Sequence, residues 1–311
     1  MKKVLLTGAA GGLGKVVLKY LLSEGKYEIT ALDLKNKNTY KALKKYHRRI
    51  NIIYGDITNP LLIDDLVKEN DYIIHLAGIN DTLSNLNNKV SKEIDYKGTE
   101  NIVRSITFYN PKCVLIFPST TNVYSPLDES VTTNSKILDK NRDNYTLNKI
   151  SLERLIQDKL TNYVIYRIPT ILNNNNMKES FIYTTSKKNE VEYITVNDCA
   201  YALVKTIDHA RGLNKKTYNL SGGKTCVTNQ NYLLKNVLNT YGLNFKYLWA
   251  LLLLEKNMYG HNYSDSSKLN NTLEFQSESI ESFIMELKRK YKYRFLNRLL
   301  AKPFIYFNIK K

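Results

Sequence analysis

Cysteine, proline and tryptophan are scarce, at 3, 6 and 1 in 311 residues. Cys113, Cys199 and Cys226 stand far apart, form no Cys-x-x-Cys pair and leave one thiol over under any single bridge. A disulfide-stapled scaffold is thereby excluded, and a reducing, cytoplasmic setting is expected. Long apolar runs are missing as well. The longest, Leu248 to Leu254, covers seven residues, whereas a membrane-spanning helix needs about twenty. The opening Met1-Lys2-Lys3 runs straight into the strand-like Val4 to Leu6, without the apolar stretch of a signal peptide. Acidic residues are few, 29 against 46 Lys and Arg, for a net charge of +17. Such a surplus raises a nucleic-acid reading. The cations are scattered among Asn, Tyr and Ile, however, as a compositional bias would scatter them, so no nucleic-acid partner is expected. Around His75 no second His, Cys or carboxylate stands at a ligand spacing, and no metal site is expected.

The first half alternates short β-rich runs with helical patterns, which predicts βαβ units and a parallel sheet. Strands are predicted at Lys3–Thr7, Glu28–Asp33, Ile50–Tyr54, Tyr72–Leu76, Cys113–Pro118 and Tyr163–Arg167. Several are continuously apolar, as strands covered on both faces should be. Helices are predicted at Gly12–Leu22, Pro60–Lys68, Asn87–Tyr109 and Tyr145–Leu160, the last from apolar periodicity at Leu147, Ile150, Leu152, Leu155 and Ile156. After Pro169 the polar run Leu172 to Met177 reads as a surface loop. A smaller region is expected from there, with a strand at Glu190–Val196, a helix at Asp198–Asp208, a strand at Thr217–Leu220, a helix at Asn229–Tyr241 and a helical C-terminus.

Between the first strand and the first helix lies Thr7-Gly8-Ala9-Ala10-Gly11-Gly12-Leu13-Gly14. Missing side chains let backbone N–H groups approach a pyrophosphate at a helix N-terminus. The spacing is Gly-x-x-Gly-x-x-Gly, and an ordinary strand-to-helix turn would look the same. Asp33 strengthens the dinucleotide reading, because a carboxylate closing the second strand accepts hydrogen bonds from the adenosine ribose and favours NAD. Lys35 and Lys37 follow it and could pair with a 2′-phosphate, which keeps NADP open.

On the helix after the fifth strand, Tyr145 and Lys149 stand at i and i+4, so phenol and ammonium share a face. An unperturbed tyrosine ionises near pH 10, so a neighbouring cation is needed before its oxygen trades protons near neutrality. Tyr145 is the expected acid or base, Lys149 its tuner, and Thr120 the hydroxyl that holds the reacting oxygen. In a chain rich in both residues, an exposed helix face would explain the pair equally well without the glycine loop.

With that loop, the chain resembles the short-chain dehydrogenase/reductase superfamily, in its extended branch of NAD-dependent epimerases and dehydratases. The likeness is carried by further segments: Gly55-Asp56-Ile57, His75-Leu76-Ala77-Gly78, Asp95 to Asn101 with Gly98-Thr99, Phe117 to Tyr124, Arg167-Ile168-Pro169, Val196-Asn197-Asp198 and Tyr218 to Gly223. It implies an α/β, Rossmann-type doubly wound parallel sheet over residues 1–170. A smaller substrate-binding region would cover 171–287, some of its segments returning to the first domain, and a basic aromatic segment 288–311. By the same likeness the catalytic set is Thr120, Tyr145 and Lys149. The cofactor falls to Gly8, Gly11, Gly12, Leu13, Gly14, Asp33, Leu34, Asp56, Ile57, Leu76, Ala77, Gly78, Asp95, Ser119, Tyr145, Lys149 and Pro169. His75 reads as a packed turn residue.

The chain departs from the family at three places. Asp95 stands where the family has Asn and adds a negative charge near the cofactor. Thr121 and Asn122 replace the acidic pair of sugar dehydratases, which argues against dehydration, since elimination needs a further proton donor and base. Between Pro169 and Val196 there is room for a loop and a strand but little for a covering helix. The expected activity is therefore hydride transfer to or from a sugar carbon, with a nucleotide-linked sugar as the expected substrate, in polysaccharide or related metabolism. The alternative is a non-catalytic dinucleotide-sensing protein of the same fold. A homodimer through the helices at 87–109 and 145–160 is implied by the likeness. From Lys288 to Lys311, nine cations and no acid interleave with aromatics. A docked helix explains them, and so does weak contact with an anionic membrane surface.

Overall fold

A computed structural model describes residues 1–78, 92–125, 128, 130–140, 142–174, 190–240 and 261–290. Seven parallel strands form the central sheet: β1 (Lys2–Thr7), β2 (Tyr27–Asp33), β3 (Asn51–Tyr54), β4 (Tyr72–His75), β5 (Val114–Thr120), β6 (Tyr163–Ile168) and β7 (Lys216–Asn219), in the order β7-β6-β5-β4-β1-β2-β3. β1 explains why a parallel sheet forms. Val4, Leu5 and Leu6 are all fully buried. Because successive side chains alternate across the sheet, Val4 and Leu6 join one core layer and Leu5 the other. The first layer packs α1 (Gly12–Glu24) and α6 (Val196–Leu213) on the sheet, and the second packs α3 (Pro60–Lys68), α4 (Gly98–Tyr109) and α5 (Asn144–Lys159). Each buried Leu, Ile or Phe in these layers contributes roughly 1.5–3 kcal/mol.

Local chemistry starts and stops these helices. Asn59 caps α3 through Leu61 N and Leu62 N with Pro60 in the first turn, and Asp143 caps α5 through Thr146 N at 2.9 Å. Gly25, at φ +66°, takes the left-handed position that ends α1. Strand order reverses at β1, which pairs with β2 on one side and β4 on the other. Ligands of doubly wound sheets settle at such a switch point, beyond the carboxyl ends of the strands.

Beyond β6, short strands Ile171–Leu172 and Ile194–Thr195 pair in parallel, Glu190–Glu192 pairs antiparallel with Val227–Asn229, and Asn262–Tyr263 pairs with Ser130–Val131. Helices α7 (Gln230–Thr240), α8 (Ser266–Leu273) and α9 (Ile280–Lys290) complete the described part. Leu172, Tyr193, Leu233, Phe283 and Leu287 belong to a separate small core here.

Several sequence expectations are corrected. Glu190–Val196 is not one strand: Tyr193 separates two short ones with different partners, and Val196 opens α6. The strand expected at Thr217–Leu220 is β7, and it joins the central sheet beside β6. Residues 37–43 are helical, α2 (Lys37–Leu43), with Asn36 accepting from Asn38 N and Thr39 N at 2.9 Å, a helix absent from the sequence expectations. A π-helical turn, Lys92–Lys97, precedes α4, so the long helix expected from Asn87 is divided. Leu172 and Asn174 of the expected surface loop are buried, and Asn174 O accepts from Lys290 Nζ at 2.8 Å. Residues 87–91, 175–189 and 291–311, and with them the rest of that loop, the length departure and most of the basic C-terminal segment, lie outside the described residues.

Candidate active site

The glycine loop turns between β1 and α1 with Gly8 at φ +68°, its N–H donating to Leu32 O at 2.9 Å, and Gly11 N donating to Gly8 O at 3.0 Å. A Cβ on Gly8 would lie 2.7 Å from Ala77 N, and one on Gly14 would strike Gly8 O. Both positions therefore need glycine, one for backbone angle and β4 contact, the other for helix-to-loop packing. Gly11 caps α1 without a side-chain hydrogen bond, and the first turn holds no acid. The positive end of the helix is thus left to an outside anion.

A cleft of about 440 Å³ opens over this loop. Of the residues predicted for the cofactor, Gly8, Gly11, Asp33, Leu34, Asp56, Ile57, Leu76, Ala77 and Gly78 line it. Asp33 is pinned by Ala10 N and Leu34 N, each donating to a different carboxylate oxygen at 2.8 Å. Gly12, Leu13 and Gly14 belong to the first turn of α1 but are not on the cleft wall, and the Asn173 amide stands 3.1 Å from where a Gly12 Cβ would be. Lys35 and Lys37 are not on the wall either. Lys15, Asn36, Asn38 and Thr39 are, and sequence reasoning missed them. The available signals were the position of Lys15, one residue past the loop, and the Asn-x-Asn-Thr pattern of a helix cap.

The second group of predicted residues meets at the end of β5. Thr120 closes that strand, buried, its Oγ1 accepting from Asn122 N at 3.2 Å. α5 brings Tyr145 in its first turn and Lys149 one turn later. The ammonium of Lys149 donates to Pro118 O at 2.9 Å and lies 4.7 Å from the Phe117 ring centre and 5.8 Å from that of Tyr145. Burial draws the Lys149 pKa below the usual lysine range, while the carboxylates of Asp95 and Glu153 act in the opposite direction. Asp95 is itself buried, and its Oδ1 stands 2.9 Å from where a Gly78 Cβ would be.

Ser119 and Pro169 are placed elsewhere than on the cleft wall. The Ser119 hydroxyl donates to Glu153 Oε1 at 2.5 Å, and Pro169 is buried beyond β6. Glu153 forms a buried ion pair with Arg167 at 2.8 Å, Arg167 Nη1 donates to Tyr124 OH at 3.0 Å, and Tyr124 OH donates to Asn219 at 2.7 Å. Asn219 continues to Asp265 at 2.9 Å. This buried framework ties β5, α5, β6 and β7 together, and it is the second feature that sequence reasoning missed.

His75 links the two groups. Ala77 N donates to Thr7 Oγ1 at 3.1 Å, and the Thr7 hydroxyl pairs with His75 Nδ1 at 2.7 Å. His75 Nε2 pairs with Thr99 Oγ1 at 3.0 Å, and the Thr99 hydroxyl donates to Asp95 O at 2.6 Å. Since Thr99 spends its proton on Asp95 O, the ring donates from Nε2 and accepts at Nδ1, the neutral tautomer. Burial, helped by Lys149, pushes its pKa down to about 3.

The model of the family described as "NAD dependent epimerase/dehydratase family" matches residues 4–172. A CDP-paratose 2-epimerase of Salmonella typhi is 30% identical over 132 residues, 41% of this chain and 39% of that protein. A UDP-glucose 4-epimerase of Yersinia enterocolitica is 27% identical over 165 residues, 50% of this chain and 48% of the other. The chain thus matches less than half the length of these curated relatives. Among solved structures, UDP-glucuronic acid 4-epimerase from Bacillus cereus in complex with NAD superposes with a TM-score of 0.73 at 17% identity, covering 95% of this chain and 99% of that one. A UDP-glucose-4-epimerase from Stenotrophomonas maltophila with bound NAD reaches 0.76 at 15% identity, covering 94% and 98%. These two likenesses are of fold. The family match covers the glycine loop, Asp33, Thr120, Tyr145 and Lys149 together, and the chain belongs to the NAD-dependent epimerase/dehydratase family.

Proposed function

We propose that the chain is an NAD-dependent epimerase or ketoreductase acting on a sugar, with nucleotide-linked sugars as its substrate class. The observation that carries the reading is the seating of Lys149: its ammonium is fixed on Pro118 O beside the Tyr145 ring, two residues before Thr120. The cleft fits a dinucleotide because Gly8 and Gly11 put no side chain on its wall, α1 offers an N-terminus with no side-chain cap, and the pinned Asp33 presents a carboxylate to ribose hydroxyls. Asp33 on the wall, with Lys35 and Lys37 off it, favours NAD over NADP. The nucleotide-sugar class follows from the names of the CDP-paratose, UDP-glucose and dTDP-glucose relatives.

When bound, the nicotinamide ring takes up and returns the hydride. Tyr145 takes the proton of the substrate hydroxyl and gives it back, Thr120 donates a hydrogen bond to the same oxygen, and Lys149 stabilises the phenolate. Thr121 and Asn122 sit in the 3-10 turn after β5, with no carboxylate at either position, which supports epimerisation or ketoreduction over dehydration. In this reading residues 171–287 supply the sugar-binding side.

Tyr145→Phe tests it. The variant is expected to keep NAD binding by titration and to lose about 10²–10⁴-fold in turnover on UDP-, CDP- and dTDP-hexoses; unchanged turnover rejects the mechanism. A homodimer through α4 and α5 belongs to the same proposal. α4 leaves Phe108 74% and Tyr109 50% exposed at its end, and sedimentation equilibrium measures the state directly. Liposome co-sedimentation of the full chain and of one truncated at Lys288 tests the membrane contact; equal behaviour rejects it.

A further inference from the structure

Asp95 is a buried carboxylate on the π-helical turn Lys92–Lys97. Such turns wind one residue more than an α-helical turn and re-aim side chains, often at functional sites. Here Ile94 stays on the cleft wall while Asp95 turns behind it, with Oδ1 against Gly78, which is itself on the wall. On the other side the same turn packs against α5, the helix of Lys149. The carboxylate therefore lies behind the Gly78 part of the cleft wall, on a turn that also packs against the helix of Lys149.

Among the described residues, three charged or titratable side chains bear on this region besides those of its own turn: Glu153, His75 and Lys149. Glu153 is committed to Arg167 at 2.8 Å, closing that pair. His75 is held neutral by its two threonines. Among the described residues Lys149 makes one hydrogen bond, to a carbonyl, and Asp95 opposes the effect of its burial more strongly than Glu153 does. A dinucleotide held with its adenosine ribose on Asp33 and its pyrophosphate on the glycine loop would bring its nicotinamide toward Gly78 and Asp95. That ring is cationic when oxidised and neutral when reduced.

We propose that Asp95 is a positioning residue that sets the charge balance of the nicotinamide end: its buried carboxylate offsets Lys149 and makes the pocket hold the oxidised dinucleotide in preference to the reduced one. The inference rests on the cofactor reading above. Without Asp95, the Lys149 cation would face a cationic ring with only Glu153, already paired with Arg167, to offset it, and the oxidised form would bind more weakly while the neutral reduced form would be little affected.

The test uses the full-length protein without sugar, with dissociation constants for NAD⁺ and NADH measured by calorimetry and nicotinamide fluorescence. In Asp95→Asn, nearly isosteric, the ratio of the NAD⁺ constant to the NADH constant should rise about fivefold, the effect of one partly offset charge in a protein interior. Lys149→Met should move the same ratio the other way, an arm that does not depend on the folding of the Asp95 variant. An unchanged ratio in either folded variant overturns the proposal, and so does a parallel loss of both affinities in Asp95→Asn, which marks a structural role alone. Wild-type protein that binds neither form overturns the cofactor reading itself, and this inference with it.

Discussion

Gly8 holds φ +68° with the β4 turn against its Cα, so a methyl group there meets backbone that has no rotamer to yield. Gly8→Ala is expected to cost about 1–3 kcal/mol in urea unfolding and to abolish NAD binding in the folded fraction. His75 carries a pH signature. Its folded pKa, about 3, lies below the ordinary histidine value, so across that interval the unfolded chain binds the extra proton. Stability is therefore full above about pH 6.5 and falls as the pH drops toward 3, with a slope approaching 1.4 kcal/mol per unit for one proton. Melting temperatures of wild type and His75→Gln between pH 7 and 4 check this: the variant starts lower and declines less steeply. Neither property depends on catalysis.

At the scale of elements, α2 shows how a short helix enters the site. Seven residues cannot sustain a helix by propensity, and the Asn36 side chain supplies the missing acceptor to Asn38 N and Thr39 N. Asn36→Ala should cost about 1 kcal/mol, read as a lower urea midpoint. Because Asn36, Asn38 and Thr39 line the cleft with Asp33, NAD affinity should fall with it. An unchanged affinity would detach α2 from the cofactor. The same helix was illegible in the sequence for this reason: its pattern, Asn-Lys-Asn-Thr, is also that of a polar loop, and only the cap decides between them. α5 was legible because Leu147, Ile150, Leu152, Leu155 and Ile156 recur at helical intervals, of which Ile150, Leu152 and Ile156 are buried, and this placed Tyr145 and Lys149 one turn apart without any tertiary information.

For the molecule as a whole, the buried Glu153–Arg167 pair joins β5, α5 and β6 to the segments around Asn219 and Asp265. Through Tyr124 and Asn219 it reaches Asp265, whose other oxygen accepts from Thr133 N at 2.8 Å. Arg167→Met leaves Glu153 buried and unpaired, and is expected to lose 3–5 kcal/mol, or about that order, in chemical denaturation. The double variant Glu153→Met, Arg167→Met should recover most of the loss, since a matched apolar pair removes the orphaned charge. If the double variant is no better than the single one, the penalty is one of packing.

The βαβ order, the glycine loop and the i, i+4 pairing of Tyr145 with Lys149 follow from the sequence by itself. Their causes are local: a strand buried on both faces must be continuously apolar, a loop against backbone cannot carry Cβ atoms, and a helix turn fixes spacing. Tertiary structure alone decided the rest. β7 pairs with β6 across nearly fifty intervening residues, Glu190 to Thr195 splits between two partners, and Ser119 spends its hydroxyl on Glu153 rather than on the cleft. Lys15 reaches the cleft while Lys35 and Lys37 do not. Each of these depends on which distant group a side chain meets after collapse, and residue type and spacing along the chain carry no record of that meeting.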